Sequence, residues 1–360
     1  MGCLDIGNSV AVLSLEWLKR WRPHGGVARG AAYQAEGVGV AFRQAPSGVM
    51  GGKFQGRDMR QFEESELTDE VIRSLDETSN PRLKLLLQEL VRSLHDYVRR
   101  TGLTFEEWEK AIDFLTRTGQ KCTPSRQEFI LLSDVLGISM LVDAVNHRER
   151  DGATETTVLG PFYVGEHKPM PHGADISEGL EGERMYVEAR VTDLGGRPLG
   201  GVPVDVWHAD DDGFYDSQKP GYEEKGPSLR ARFVTDGDGR LAFRSILPCS
   251  YPIPIDGPVG ELILATRRHP MRPAHVHFLV AAPGYEPLIT HVFIEGDKYL
   301  DSDVVFGVKN ELVSKIELRD DPQMPDGRAA SGPWHLMTYE FRLKPGHGTA
   351  PKPMLASAAE

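Results

Sequence analysis

The stretch RPAHVHFLVAAPG, residues 272–284, decides how the chain is read. A strand sends alternate side chains to the same face, so His275 and His277 point together. Two imidazoles on one face of a buried strand cost desolvation unless something binds them. On a strand, such a pair can serve zinc, copper or iron. The alternative is two core-edge histidines, each satisfied by a carbonyl. Arg272 precedes Pro273 at the strand entrance, where it reads first as a surface residue.

Working outward, the chain after Gly152 continues in the same manner. RMYVEARV, PVDVWHA, RLAFRSI, AHVHFLVAA and LITHVFI alternate or are β-branched. DLGGRPLGG, ADDDG, TDGDG and APG supply turn chemistry between them. Several short strands with frequent turns predict an antiparallel β-sandwich or barrel, the sandwich being the expected form, over residues 151–345, followed by a flexible tail at 346–360.

Upstream, residues 63–150 are helical in pattern. In NPRLKLLLQELVRSLHDYVRRTG, Leu83, Leu87, Leu90, Leu94 and Val98 fall near helical spacing, and Gly102 is a C-cap. Thr104 and Glu107 form a capping box for FEEWEKAIDFLTRTG. Thr123 and Pro124 read as N-cap and first helical position ahead of SRQEFILLSDVLGISMLVDAVNH. Residues 1–62, rich in Gly, Arg and Ala, read as a disordered or misassigned extension, with Met50 and Met59 as candidate starts. The fold class expected is α+β.

A formal net charge of −12 argues against nucleic-acid backbone binding, which needs clustered Lys and Arg. No stretch approaches the apolar length of a membrane helix. Cys3, Cys122 and Cys249 are widely spaced with no CxxC, so neither a disulfide framework nor a thiolate zinc site is suggested, which fits a reducing cytoplasm.

A metal site needs more than two histidines. Tyr215 follows a strand and turn in DDDGFYDSQ, and Tyr251 lies in the proline-rich LPCSYPIPIDGP, where a tyrosine is not expected to continue a sheet ladder. Each alone reads as a packing tyrosine. Together, four motifs in order change that reading: TVLGPFYV, VPVDVWHADDDGFYD, ILPCSYPIPIDGPVGELI and RHPMRPAHVHFLVAAPGYEPLITHVFIEGDKYL. They resemble the intradiol ring-cleavage dioxygenases, the family of catechol, chlorocatechol and hydroxyquinol 1,2-dioxygenases.

The resemblance implies one Fe(3+) per subunit, held by Tyr215, Tyr251, His275 and His277. Tyr163 in GPFY matches a position that lines the pocket instead. The chemistry agrees: ferric iron prefers anionic oxygen, and two tyrosinates with one hydroxide neutralise its charge in a low-dielectric site. The resemblance makes Tyr251 the ligand that yields to substrate and takes its proton, and Arg272 the group that stabilises charge developing on the ring. It also implies a homodimer built by the N-terminal helices, with phospholipid at the interface.

The resemblance implies O2 and an aromatic diol or triol as the substrate pair. The resemblance leans to the hydroxyquinol branch, giving 3-hydroxy-cis,cis-muconate, with catechol or a chlorocatechol as the alternative. Matching pocket positions are Leu131, Asp134, Val158, Gly160, Ile253, Pro254 and Val305. Asp134 could accept a hydrogen bond from the third ring hydroxyl, against the plainer reading of a solvated helix aspartate. His291 stands where catechol enzymes carry glutamine, and Ile255 occupies a loop position that is often smaller. Two other classes stay in view: a zinc hydrolase, which needs a third histidine or carboxylate, and a non-catalytic β-sandwich binding module.

Overall fold

In the computed structural model, which describes residues 63–123, 126–148, 151–165, 167–219 and 226–348, helices come first and strands follow. The expected extension 1–62 and all but the first residues of the expected tail lie outside the described residues. By compactness the chain divides into two units between residues 112 and 113.

The smaller unit holds α1 (Leu67–Ser74), α2 (Pro81–Thr101) and the start of α3 (Phe105–Lys121). Local chemistry sets these ends. The Asn80 side chain accepts from the N–H groups of Arg82 and Leu83 at 3.0 Å, and Pro81 occupies the first turn. Gly102 ends α2 at φ 59°, as predicted. The Thr104–Glu107 box forms with both reciprocal bonds, at 2.9 and 3.3 Å. No residue of α2 is buried: Leu83, Leu86, Leu90, Leu94 and Tyr97 all remain exposed.

In the larger unit the single helix expected after Thr123 is two, α4 (Glu128–Val135) and α5 (Ile138–Asn146). Thr123 is not its cap; it exchanges backbone hydrogen bonds with Arg126. Gly137 breaks the run at φ 72°, a left-handed conformation that suits glycine and not its neighbours.

Eleven described strands follow: β1 (Arg184–Asp193), β2 (Pro203–Trp207), β3 (Arg230–Val234), β4 (Arg240–Ile246), β5 (Tyr251–Pro252), β6 (Met271–Arg272), β7 (His275–Val280), β8 (Leu288–Ile294), β9 (Val313–Ser314), β10 (Ile316–Arg319) and β11 (Trp334–Leu343). A short helix, α6 (Pro258–Ala265), separates β5 from β6. The sheets run β10-β11-β1-β4 and β3-β2-β7-β8-β9, with β5-β6 as a separate two-residue ladder. Val187 and Phe243 from the first sheet and Val204, Phe278 and Val292 from the second join one buried apolar cluster, so the two sheets share a core.

The sandwich is not purely antiparallel. β1 pairs with β11 in parallel, from Arg184↔Trp334 to Asp193↔Leu343, and β8 pairs with β9 in parallel. A parallel pair cannot be closed by a hairpin; between β1 and β11 the intervening chain, including every strand of the other sheet, supplies the crossover.

Candidate metal centre

β7 is buried along its whole length and is flanked by β2 and β8. Its alternation separates two jobs. Val276, Phe278 and Val280 enter the shared core. His275 and His277 turn the other way and are each 1% exposed. Register then assembles their surroundings: His277 stands opposite Trp207 on β2 and His291 on β8, and His275 stands opposite Phe293. Trp207 stacks on the His277 ring at 4.6 Å, fixing its plane.

Two loops bring oxygen to the same place. Tyr215 precedes the 3-10 turn Asp216–Gln218, and its N–H donates to Gln218 Oε1 at 2.9 Å. The next residue, Asp216, is locked by Arg230, whose Nε donates at 2.7 Å, while Phe162 stacks on the Tyr215 ring at 4.3 Å. Tyr251 does continue a ladder, contrary to the expectation for a proline-rich loop: it opens β5 and pairs directly with Arg272 on β6. Gly213 makes the approach possible. A Cβ there would stand 2.6 Å from Tyr251 Cβ, and its φ of 86° is itself a glycine conformation.

Four donor atoms therefore converge. Tyr215 Oη lies 3.1 Å from Tyr251 Oη, 2.8 Å from His277 Nε2 and 3.5 Å from His275 Nε2, and the two Nε2 atoms are 3.2 Å apart. His275 Nδ1 lies 2.6 Å from the Pro273 carbonyl, which assigns the proton to Nδ1 and turns the Nε2 lone pair toward the cluster. Ligand atoms about 2.0–2.1 Å from one cation take such spacings at ordinary coordination angles. The residues present fit a metal ion.

Electrostatics points the same way. Burial pushes both phenols up, Tyr215 well above the ordinary value with Tyr251 adding to it. Burial pushes His275 and His277 well down, helped by Arg272 for the first and by His291 and His275 for the second. Neutral imidazoles are the ligand form, and a cation is what favours tyrosinate in such surroundings.

Arg272, 4% exposed, lies beside this cluster. Its Nη1 donates to His275 Nε2 at 3.2 Å, its Nη2 to His291 Nδ1 at 3.4 Å, and its Nε to Asp303 Oδ1 at 3.1 Å. It is not the surface residue first suggested by the sequence. Burial works against its charge, but Asp303, then Tyr251 and Tyr215, more than offset that and hold the guanidinium above its ordinary value.

The pocket residues gather unevenly. Leu131, Ile253 and Val305 share one apolar cluster with Val135, Val259 and Ile263, and Pro254 follows half-buried. Asp134 is 3% exposed, so it is not the solvated aspartate of the plainer reading. Burial pushes its carboxyl up to about 6, against the pull of Ser139 and Arg272. A Cβ on Gly160 would stand 3.4 Å from His277 Cε1, and the Val158 carbonyl faces His291. Tyr163 directs its hydroxyl to Asp205 at 3.4 Å, behind Trp207 and away from the four donors. Ile255 is exposed.

Two neighbours of the centre, Asp303 and Trp207, were not singled out in the sequence reading, and His291 was read there only as a departure from the glutamine of catechol enzymes. His291 completes a group of three imidazoles whose ligand atoms lie within 4.8 Å of one another, the third histidine a zinc site would require. Its Nδ1 already accepts from Arg272, whereas Tyr215 Oη lies 2.8 Å from His277 Nε2 and 3.5 Å from His275 Nε2. Its place opposite His277 follows from strand register and could have been found by aligning ITHVFI with AHVHFL. Asp303 and Trp207 act through tertiary contacts; a lone Asp in DSDVV and a Trp in a strand carry no local signal.

Comparison with known proteins agrees with this geometry. A family model described as "Dioxygenase" matches residues 158–345, and one described as "Catechol dioxygenase N terminus" matches residues 80–154. The chain is 52% identical to 6-chlorohydroxyquinol 1,2-dioxygenase of Cupriavidus pinatubonensis, over 80% of this chain and 99% of that one. It is 47% identical to hydroxyquinol 1,2-dioxygenase of Nocardioides simplex, over 79% and 97%. The structure superposes on hydroxyquinol 1,2-dioxygenase from Pseudomonas putida DLL-E4 with a TM-score of 0.72 at 45% identity, covering 79% of this chain and 99% of that one. Catechol 1,2-dioxygenase from Pseudomonas arvilla C-1 gives 0.68 at 29% identity, covering 79% and 92%. These relatives are named as dioxygenases, not as a zinc hydrolase or a passive binding module: the chain belongs to the intradiol ring-cleavage dioxygenases.

Proposed function

We propose that the protein cleaves hydroxyquinol (benzene-1,2,4-triol) between its adjacent hydroxyls, placing both atoms of O2 in 3-hydroxy-cis,cis-muconate, the tautomer of maleylacetate. The ion is Fe(3+), one per subunit, held by Tyr215, Tyr251, His275 and His277. The observation that carries this reading is the convergence of those two phenols and two imidazoles in a fully buried cluster. Bound there, the iron supplies the electronic coupling between a diol and O2.

The chain's own residues do the rest. His275 and His277 stay as neutral ligands, oriented by Pro273 and Trp207. Tyr251 yields to the diol and takes a proton on its phenol oxygen; burial, which favours the neutral phenol, assists that step. Arg272 presents fixed N–H groups to charge developing on the ring. Leu131, Val158, Gly160, Ile253, Pro254 and Val305 shape the pocket and exclude water, while Tyr163 backs Trp207.

Asp134 supports the triol over catechol. A buried carboxylate placed toward the third hydroxyl gains from hydroxyquinol a partner that catechol does not supply. The similarity to enzymes named for hydroxyquinol and 6-chlorohydroxyquinol agrees. Oxygen consumption with hydroxyquinol, catechol and chlorocatechols in parallel tests the reading: hydroxyquinol should give the highest kcat/KM, and a catechol preference overturns the substrate assignment.

The exposed apolar residues of α2 and α3, Leu86, Leu90, Leu94, Phe105 and Trp108 among them, support a cytoplasmic homodimer with phospholipid at its helical interface. Sedimentation and lipid extraction test this.

A further inference from the structure

This inference rests on the ring-cleavage reading of the centre and concerns Asp303, which is neither one of the four donors nor one of the pocket positions above. It follows the 3-10 turn Leu300–Ser302 and is 5% exposed. Both of its oxygens are divided between the guanidinium and a loop. Oδ1 accepts from Arg272 Nε at 3.1 Å and from the Val305 N–H at 3.3 Å. Oδ2 accepts from Arg272 Nη2 at 3.3 Å and from the Gly307 N–H at 3.0 Å.

The loop is fitted closely onto this pair. A Cβ on Gly307 would stand 3.1 Å from Asp303 Oδ2, 3.1 Å from Thr157 Oγ1 and 3.2 Å from Arg272 Nη2. The same loop carries Val305, which belongs to the apolar cluster with Leu131 and Ile253. A two-point grip on Nε and Nη2 fixes the plane of a guanidinium, because its five N–H groups form a rigid fork. What the grip leaves is Nη1, and Nη1 faces His275 Nε2 at 3.2 Å.

We propose that Asp303 is a positioning residue: it fixes the Arg272 plane with Nη1 toward the metal ligands and ties that orientation to the Val305 wall. Seating of the ring against Val305 and alignment of the arginine then become one event. A carboxylate that only balances a buried charge makes no such link.

The test is a double-mutant cycle on the iron-loaded enzyme with Asp303→Asn, Arg272→Ala and the pair, accompanied by crystal structures of the metal-free single variants. Asp303→Asn is expected to keep iron and the visible absorption band, to bind the diol anaerobically with similar affinity, and to lose about 10- to 100-fold in kcat. Added to Arg272→Ala, it should cost almost nothing further, since both act through one guanidinium. The crystal structure should show the Arg272 plane turned away from His275. Multiplying losses in the pair, or an unmoved Arg272 plane, overturns the proposal.

If Asp303→Asn does not fold, Gly307→Ala serves instead: its methyl displaces the carboxylate and guanidinium without removing either charge. It should give the same kcat-selective loss and the same rotation; an unmoved Arg272 again overturns the proposal. Absence of oxygen uptake by the parent enzyme with every diol defeats the ring-cleavage reading alone, because the rotation of Arg272 is read without turnover.

Discussion

Tyr251 and Arg272 stand directly opposite each other in the two-residue ladder of β5 and β6. Backbone pairing thus sets the spacing between the phenol proposed to leave the metal and the guanidinium proposed to receive the ring's charge. The two loops that carry them cannot drift independently.

Arg272→Ala should leave the four donors in place and remove the nearest fixed positive charge. Iron content and the tyrosinate-to-iron colour are expected to stay near the parent's, with kcat down by about 10²- to 10³-fold. Metal analysis, visible absorption and single-turnover kinetics check this, and parent-like kcat would sink the role assigned to Arg272.

The two tyrosines should fail differently. Tyr215 contacts both imidazoles and Tyr251, so Tyr215→Phe is expected to lower iron retention and bleach the protein. Tyr251→Phe should hold iron better and lose the group that takes the substrate's proton. Iron per chain after dialysis against a chelator separates them. Equal retention in both variants would contradict separate roles.

Asp134 gives a signed pH prediction. Its carboxyl binds a proton more tightly in the folded chain, with the value pushed from 3.8 to about 6 by burial. Its contribution therefore favours the folded state at low pH and is lost as pH rises through that window. Asp134→Asn should flatten stability between about pH 4 and 6. It should also remove an ionisation near 6 from the triol-to-catechol ratio of kcat/KM and lower that ratio by about tenfold or more. Urea unfolding and the two pH profiles are the measurements. An unchanged ratio would return Asp134 to a purely structural role.

Gly213→Ala combines a contact of 2.6 Å with Tyr251 Cβ and a φ of 86° that alanine disfavours. The expected cost is about 1–3 kcal/mol of stability, with iron retention reduced because the displaced side chain is a ligand. Denaturant unfolding with and without iron would show it. No change in either would mean the loop relaxes freely.

Much of the centre was legible because it is local. The i, i+2 spacing of His275 and His277 fixes their common face whatever else the chain does, and β7 bears this out. The caps at Gly102 and Thr104–Glu107 are short-range hydrogen bonds and could be read directly. What was missed depends on partners far along the chain. Arg272 taken alone read as a surface charge, and only the resemblance drew it to the centre, because nothing nearby in sequence announces Asp303; the break at Gly137 was hidden inside an apolar run that otherwise continues. Tyr251 was not expected in a ladder, since a two-residue strand opposite Arg272 has no periodicity to detect. The parallel pair β1–β11 was likewise invisible to alternation, which looks the same in either direction.

That parallel pair bears on synthesis. β11 lies between β10 and β1, and Trp334 meets Arg184 across 150 residues of chain. Until the ribosome has released β11, β1 lacks one neighbour and β10 lacks its place, although Tyr215, Tyr251, His275 and His277 have all emerged. Such long-range pairing folds late. Capture of the proposed iron is thus expected only after synthesis is complete, and a nascent chain truncated before residue 334 would expose an unpaired edge of β1 to aggregation.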